Sequence, residues 1–223
     1  DVGTRLKEET EFKPKPMVTI GNKPILWHIM RHYSIFGFKE FVLCLGYKGD
    51  TIRDYFLGYD LLNSDFTIRL GTKEIVRHSV FHDESDWQVT LAETGPHTMT
   101  GGRLKKIAKY LDGDTFVLTY GDGVANIDIN AIVKFHREKQ KIATVTAVRP
   151  IARFGELSVH GDLVETFQEK PQVSSGWISG GFLCSTKRSS ITWMTIVFSK
   201  RSRWRRWREI NSWLYTNTLD TGV

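Results

Sequence analysis

With 223 residues, 40% of them apolar, the chain can bury a real core as one domain with an appendage, and its two cysteines, Cys44 and Cys184, exclude a disulfide framework. No apolar run is long enough to cross a bilayer as a helix and there is no signal peptide, so a reduced, cytoplasmic chain without a membrane partner is expected. The net charge of +6 invites a polyanionic partner, but eight bases and no acid lie between Lys187 and Arg208, and without those eight the +6 becomes −2. The basicity belongs to the tail, not to the body.

The chain opens on Asp1-Val2-Gly3-Thr4-Arg5-Leu6, a Gly-Thr-Arg loop with no strand before it, as expected of an α/β domain lacking its first strand. In Phe12-Lys13-Pro14-Lys15-Pro16-Met17 two prolines predict an extended segment that presents Lys15 on a stiff backbone. Pro24 then starts a helix carrying Leu26, Ile29, Met30 and Tyr33 on one face, with His28 packed and not catalytic. Residues 41–45 read as a buried strand holding Cys44, and 51–59 as a helix. Alternation at 66–70 and 76–81 predicts an antiparallel pair inserted at the sheet's edge, and 87–91 a further strand. Thr98-Met99-Thr100-Gly101-Gly102-Arg103 is a helix start with backbone donors for an anion or a nucleobase edge, or else a capped helix with no ligand.

The stretch around which the rest is organised is 116–123. An apolar run ends in Tyr120-Gly121-Asp122-Gly123, which leaves a carboxylate at the C-terminal end of a strand, where open α/β sheets bind ligands. Asp122 offers hard oxygens to magnesium, which takes one or two carboxylates besides phosphate; the alternative is an ordinary Asp-Gly turn. A helix over 129–139 and a strand over 142–148 follow. Arg153-Phe154-Gly155-Glu156-Leu157 reads as a turn toward a strand over 163–167, which ends in Glu169-Lys170-Pro171. Acid, base and the glycine pair Gly180-Gly181 would suit a phosphosugar. Alternating strands and helices predict an α/β class with a Rossmann-like, mixed, mainly parallel sheet.

Taken in order, Gly3-Thr4-Arg5-Leu6, Lys13-Pro14-Lys15-Pro16-Met17, Met99-Thr100-Gly101-Gly102-Arg103-Leu104, Tyr120-Gly121-Asp122-Gly123, Arg153-Phe154-Gly155 and Glu169-Lys170-Pro171 resemble the sugar-1-phosphate nucleotidyltransferases, in the forms of their cytidylyltransferase branch. The resemblance implies an enzyme that uses CTP, glucose 1-phosphate and Mg2+ and assembles as a homo-oligomer. It places Gly3, Thr4, Arg5, Lys15, Thr98, Gly101, Gly102, Arg103 and Asp122 on the nucleotide, and Glu169, Lys170, Gly180 and Gly181 on the sugar phosphate. Arg5, Lys15 and Asp122 would be catalytic, with Asp122 the metal ligand. A UTP- or dTTP-using relative, and a nucleic-acid-binding module working through the tail, are the competing expectations.

The likeness covers residues 1–183; from 184 to 223 a Trp- and Arg-rich tail replaces it. If each codon is rebuilt from the third base of one triplet and the first two of the next, 198–205 can encode Phe-Glu-Lys-Glu-Pro-Leu-Glu, and 215–223 Lys-His-Thr-Gly-Tyr-Trp-Cys. Both resemble the family at those places. A frameshifted tail, an unrelated Asp220-Thr221 pair and an impaired copy of the enzyme are therefore expected.

Overall fold

The computed structural model describes residues 13–79, 83–148, 156–160, 163–168, 177–187 and 213–217. They fall into two compact units: the described residues up to Gly113 with Gly121–Asn126, and Asp114–Tyr120 with the described residues from Ile127 onward.

In the first unit, β1 (Thr19–Ile20) and β2 (Lys23–Pro24) pair antiparallel. Pro24, with φ of −67°, leads directly into the helix Ile25–Ile35, whose buried residues include Leu26, Ile29, Met30 and Tyr33, the stripe that the spacing predicts. The helix stops where Gly37, at φ +89°, donates its N–H to the Ser34 carbonyl. β3 (Glu40–Leu45) follows, then the helices Gly49–Leu57 and Tyr59–Leu62, then the ribbon of β4 (Asp65–Arg69) and β5 (Glu74–Ser79). β6 (Gln88–Glu93) returns to lie parallel to β3, in register from Glu40 opposite Gln88 to Leu45 opposite Glu93.

Met17, Leu26, Met30, Leu45 and Ile52 form this unit's core, with Phe41, Leu43, Val89 and Leu91 packed against it. Each such side chain contributes about 1.5–3 kcal/mol on leaving water. The Trp27 indole N–H reaches both Tyr59 Oη (2.9 Å) and Glu84 Oε1 (3.0 Å), which ties the helices to the loop before β6. Burial, and then the Glu84 carboxylate, push the Tyr59 phenol well above its ordinary pKa.

Two expectations change here. The ribbon β4–β5 pairs only with itself among the described residues, and every residue of β4 is exposed, so its alternation marks the ribbon's own two faces and not an edge packed on a core. The Lys-Pro-Lys-Pro segment is not extended throughout: Lys15–Met17 is one turn of 3₁₀ helix, closed by Met17 N–H on the Pro14 carbonyl (2.8 Å). The fixed φ of Pro16 fits that turn as readily as it fits extended chain.

The second unit is built on β7 (Thr115–Thr119), the helix Ile129–Lys139, β8 (Ala143–Val148), the hairpin of β9 (Glu156–His160) and β10 (Leu163–Gln168), β11 (Ile178–Thr186) and β12 (Trp213–Asn217). Its sheet runs β12-β8-β11-β7, with β12 parallel to β8 and β11 antiparallel to both neighbours. The α/β class stands; the sheets are mixed, with parallel pairing at β3/β6 and β12/β8. Glu156 and Leu157, read as a turn, begin β9, because their partners Gln168 and Phe167 complete an antiparallel ladder far along the chain.

The helix Ile129–Lys139 matches its predicted span. Asp128 caps it by accepting the Ala131 N–H (2.9 Å), and Gln140, at φ +48°, ends it with its N–H on the His136 carbonyl. It buries Ile129, Ile132, Val133 and His136, and the sheet it packs on buries Ala143, Thr144, Phe182 and Cys184. Burial lifts the Cys184 thiol to about 11, against the pull of Arg137 and the Ser185 N–H, so it stays protonated and inert.

The buried His136 ring has Nδ1 2.9 Å from Thr144 Oγ1, and burial first, then the Arg137 charge, hold its pKa below 6.5. The unfolded chain therefore takes up a proton that the folded site resists. Stability from this residue is complete above pH 6.5 and is lost as the pH falls through the folded value. Urea midpoints taken from pH 7.5 down to 5 should decline less steeply in His136→Leu than in the parent chain; parallel slopes would clear His136 of the effect.

Candidate active site

The acidic half of the site is set by a glycine's backbone resting on a proline ring. The chain leaves β7 at Thr119 and turns at Gly121 and Asp122. A Cβ at Gly121 would stand 2.9 Å from Pro16 Cγ, so only glycine lets this turn rest on the proline ring. Pro16 is itself fixed by the 3₁₀ turn, whose Met17 is buried in the core with Leu26 and Met30. Seated in this way, Asp122 Oδ2 lies 3.8 Å from Lys15 Nζ, and the two side chains stay 45% and 70% exposed. A pair this exposed contributes only about 0–1 kcal/mol. Its importance is positional: an ammonium and a carboxylate are held side by side, both open to solvent.

A second cluster lies at the C-terminal ends of β3 and β6. Thr94, just beyond β6, is fully buried, and both its N–H (2.9 Å) and its hydroxyl (2.6 Å) donate to the Leu45 carbonyl. Arg103, on the helix Thr100–Ile107, donates from Nη1 to that carbonyl (2.9 Å) and to Thr94 Oγ1. Its guanidinium stands close against Gly46, where a Cβ would meet Nη2 at 2.6 Å. Burial pushes the neighbouring Cys44 thiol up in pKa, and the Arg103 charge pulls it back. Lys106 closes the cluster with its ammonium on the Thr94 carbonyl at 2.7 Å.

Of the residues singled out in the sequence, Lys15 and Asp122 are brought together, and Thr98, Gly102 and Arg103 share the second cluster. Gly101 is buried within the helix that follows Met99, and no side chain caps that helix. Arg103 faces backbone carbonyls and a hydroxyl, the work of a brace for the strand ends. Gly180 and Gly181 lie in the other unit, where β11 shifts register against β8. Thr146 Oγ1 spans that shift, donating to the Phe182 carbonyl (3.1 Å) and accepting the Phe182 N–H (3.4 Å). A Cβ on Gly180 would stand 2.8 Å from that oxygen, and Gly181 takes φ +83°, so both glycines serve the bulge. Gly3, Thr4, Arg5, Glu169 and Lys170 lie outside the described residues. Sequence reasoning assigns Thr94, Gly95 and Lys106 no role of their own, although a Thr-Gly pair at a strand end, leading into the stretch that closes on Lys106, is a signal for them.

Among the described residues no cluster of three His, Cys, Asp or Glu side chains is placed to hold a metal. A single exposed carboxylate still suits magnesium, which draws its remaining ligands from water and phosphate.

The model of the nucleotidyl transferase family matches residues 2–192. The chain belongs to that family. As a nucleotidyltransferase it is 51% identical over 183 residues to the glucose-1-phosphate cytidylyltransferase of Salmonella typhimurium, a match that covers 81% of this chain and 70% of that one. It is 30% identical over 187 residues to the D-glycero-alpha-D-manno-heptose 1-phosphate guanylyltransferase of Campylobacter jejuni, over 83% and 72% of the two chains. A solved UDP-glucose pyrophosphorylase, in complex with UDP-glucose, shares the fold with a TM-score of 0.62 at 12% identity, covering 97% of this chain and 87% of that one.

Because nothing but hydrogen fits between Gly121 and Pro16, Gly121→Ala should cost about 1–3 kcal/mol in urea unfolding. Gly123→Ala, where a Cβ meets nothing within 4 Å, should stay within about 0.5 kcal/mol. Equal costs for the two variants would remove the Pro16 contact as the constraint.

Proposed function

We propose that this nucleotidyltransferase transfers the cytidylyl group of CTP to α-D-glucose 1-phosphate, giving CDP-glucose and pyrophosphate, with magnesium as the metal. The observation that carries the reading is Lys15 Nζ 3.8 Å from Asp122 Oδ2, on two of the motifs by which the chain resembles its family. Cytidine as the base is supported by 51% identity to a cytidylyltransferase against 30% to a guanylyltransferase.

In the proposed reaction a phosphate oxygen of the sugar phosphate attacks the α-phosphorus of CTP in line. The bond from that phosphorus to the oxygen bridging it to the β-phosphate breaks, and pyrophosphate departs with the electron pair. Nothing covalent is asked of the protein, so its work is positioning and charge stabilisation. The Lys15 ammonium meets the charge that grows on the α-phosphoryl oxygens. Asp122 would hold the magnesium, which when bound would supply charge neutralisation. By resemblance Gly3, Thr4 and Arg5 hold the departing phosphates, Glu169 takes glucose hydroxyls, Lys170 takes the sugar phosphate, and the backbone of Gly180 and Gly181 lies against the ring. By resemblance the enzyme is cytoplasmic and works as a homo-oligomer; no helix among the described residues is long and apolar enough to cross a membrane.

The tail is the second part of the proposal. β11 runs without interruption to Thr186, and the family match reaches residue 192. The proposed change of reading frame, placed at 184 on likeness alone, then falls between Thr186 and the start of the shifted reading at Phe198. A tail out of frame leaves the enzyme impaired.

Pyrophosphate release with glucose 1-phosphate should be greater with CTP than with UTP or dTTP and should stop on chelation of the metal. Asp122→Asn and Lys15→Met should each lower kcat/KM by about 10²–10³ from whatever level the chain has. A preference for UTP or dTTP would reassign the base, and undiminished turnover in Asp122→Asn would defeat the metal role. Sequencing the gene across codons 186–198 should reveal an inserted or deleted base relative to intact relatives, and restoring the frame should raise activity; a single uninterrupted frame refutes this part.

A further inference from the structure

We infer that Lys106 is a positioning residue: it fixes Thr98, and through it the loop 94–98, for the nucleotide. The inference rests on the reading of this loop as the base-binding segment. The Lys106 ammonium donates to the Thr94 carbonyl at 2.7 Å and to Thr98 Oγ1 at 3.4 Å, so one side chain ties the buried end of β6 to the far end of the loop. The loop is closed again by the Thr98 N–H on the Gly95 carbonyl (3.4 Å).

The Thr98 side chain is confined on two sides. A Cβ at Gly102 would stand 2.8 Å from its methyl group, and a Cβ at Gly95, which takes φ +93°, would stand 3.1 Å from its hydroxyl oxygen and 3.6 Å from Lys106 Nζ. Glycine at 95 and at 102 therefore leaves a slot into which Thr98 fits in one orientation, methyl toward Gly102 and oxygen toward Lys106. An ammonium has donors only, so the Thr98 oxygen accepts from it, and the hydroxyl hydrogen is left to donate outward. Lys106 in this way sets Thr98 as a donor toward an acceptor on the ligand. The Thr94 carbonyl anchors the arrangement, because Thr94 is itself locked to Leu45 by its N–H and its hydroxyl.

The test uses the full chain and the variants Lys106→Met and Lys106→Arg, with amide hydrogen exchange over 94–98 and calorimetric titration of CTP and, separately, glucose 1-phosphate. In Lys106→Met, exchange in the loop should rise and the Kd for CTP should increase about tenfold, with the Kd for glucose 1-phosphate unchanged. Lys106→Arg, which keeps a donor within reach, should recover most of the CTP affinity. Unchanged exchange in Lys106→Met overturns the inference, and so does equal weakening toward both ligands, the mark of a merely structural residue. If the parent chain binds glucose 1-phosphate but no CTP, the cytidylyl reading falls, and a rise in exchange alone then decides for Lys106.

Discussion

A glycine resting on a proline ring determines where the chemistry of the first unit is presented. The attraction between Lys15 and Asp122 is too weak to assemble anything, because both side chains are largely in water. What holds them is the packing beneath: Met17 buried in the core, Pro16 fixed by its own ring, and Gly121 bare enough to sit on it. Charge follows backbone in this arrangement. Groups positioned without relying on each other's charge remain free to spend that charge on a ligand, which is what stabilisation of a developing charge requires.

The opposite use of charge is seen a short way along the same unit. Arg103 and Lys106 are cations as well, yet both point their donors at the ends of β3 and β6, to the carbonyls of Leu45 and Thr94. Where two parallel strands end together, their last carbonyls need donors from beyond the strands, because an unpaired buried carbonyl is costly; Leu45 has the Thr94 N–H and hydroxyl besides Arg103, and Thr94 has Lys106. A planar guanidinium against Gly46 and a flexible ammonium on Thr94 answer that need in different ways, the first as a fixed fork and the second as a movable tie. The strand ends are thereby made firm, and the loop that leaves them inherits a defined start.

How much of this was legible depended on whether the cause was local. The helices Ile25–Ile35 and Ile129–Lys139 could be read because their stripes and their stop and start residues, Pro24 and Asp128, lie within the segments themselves. The Gly121-Asp122 turn could be read from its neighbours. The partner of Gly121 could not, because Pro16 is far away in sequence and no spacing announces it. The acceptors of Arg103 could not be read for the same reason: Leu45 and Thr94 lie at the ends of strands that only tertiary pairing aligns. Glu156 and Leu157 were masked by the turn-like residues before them, and only the ladder with β10 makes them strand. Lys15 lies beside Asp122 although its segment is a 3₁₀ turn and not the extended chain expected of its prolines, since proline permits both.

The end of the chain sets sequence and fold against each other in an instructive way. Family likeness by eye fades at Leu183, yet the next three residues continue β11 in register with Val117, Phe116 and Thr115 of β7. Cys184 is fully buried, and the Ser185 hydroxyl donates to the Ile142 carbonyl at 3.2 Å. Such alternation of packed and bonded residues belongs to a strand shaped with its sheet, which favours placing the proposed change of frame after it. β12 is a different case. Trp-Leu-Tyr-Thr is a run of strong strand formers, and β8 without it would be an open edge, so an unselected segment of this composition has reason enough to pair there. Pairing at an edge is thus weak testimony to ancestry, whereas burial between two partners is strong.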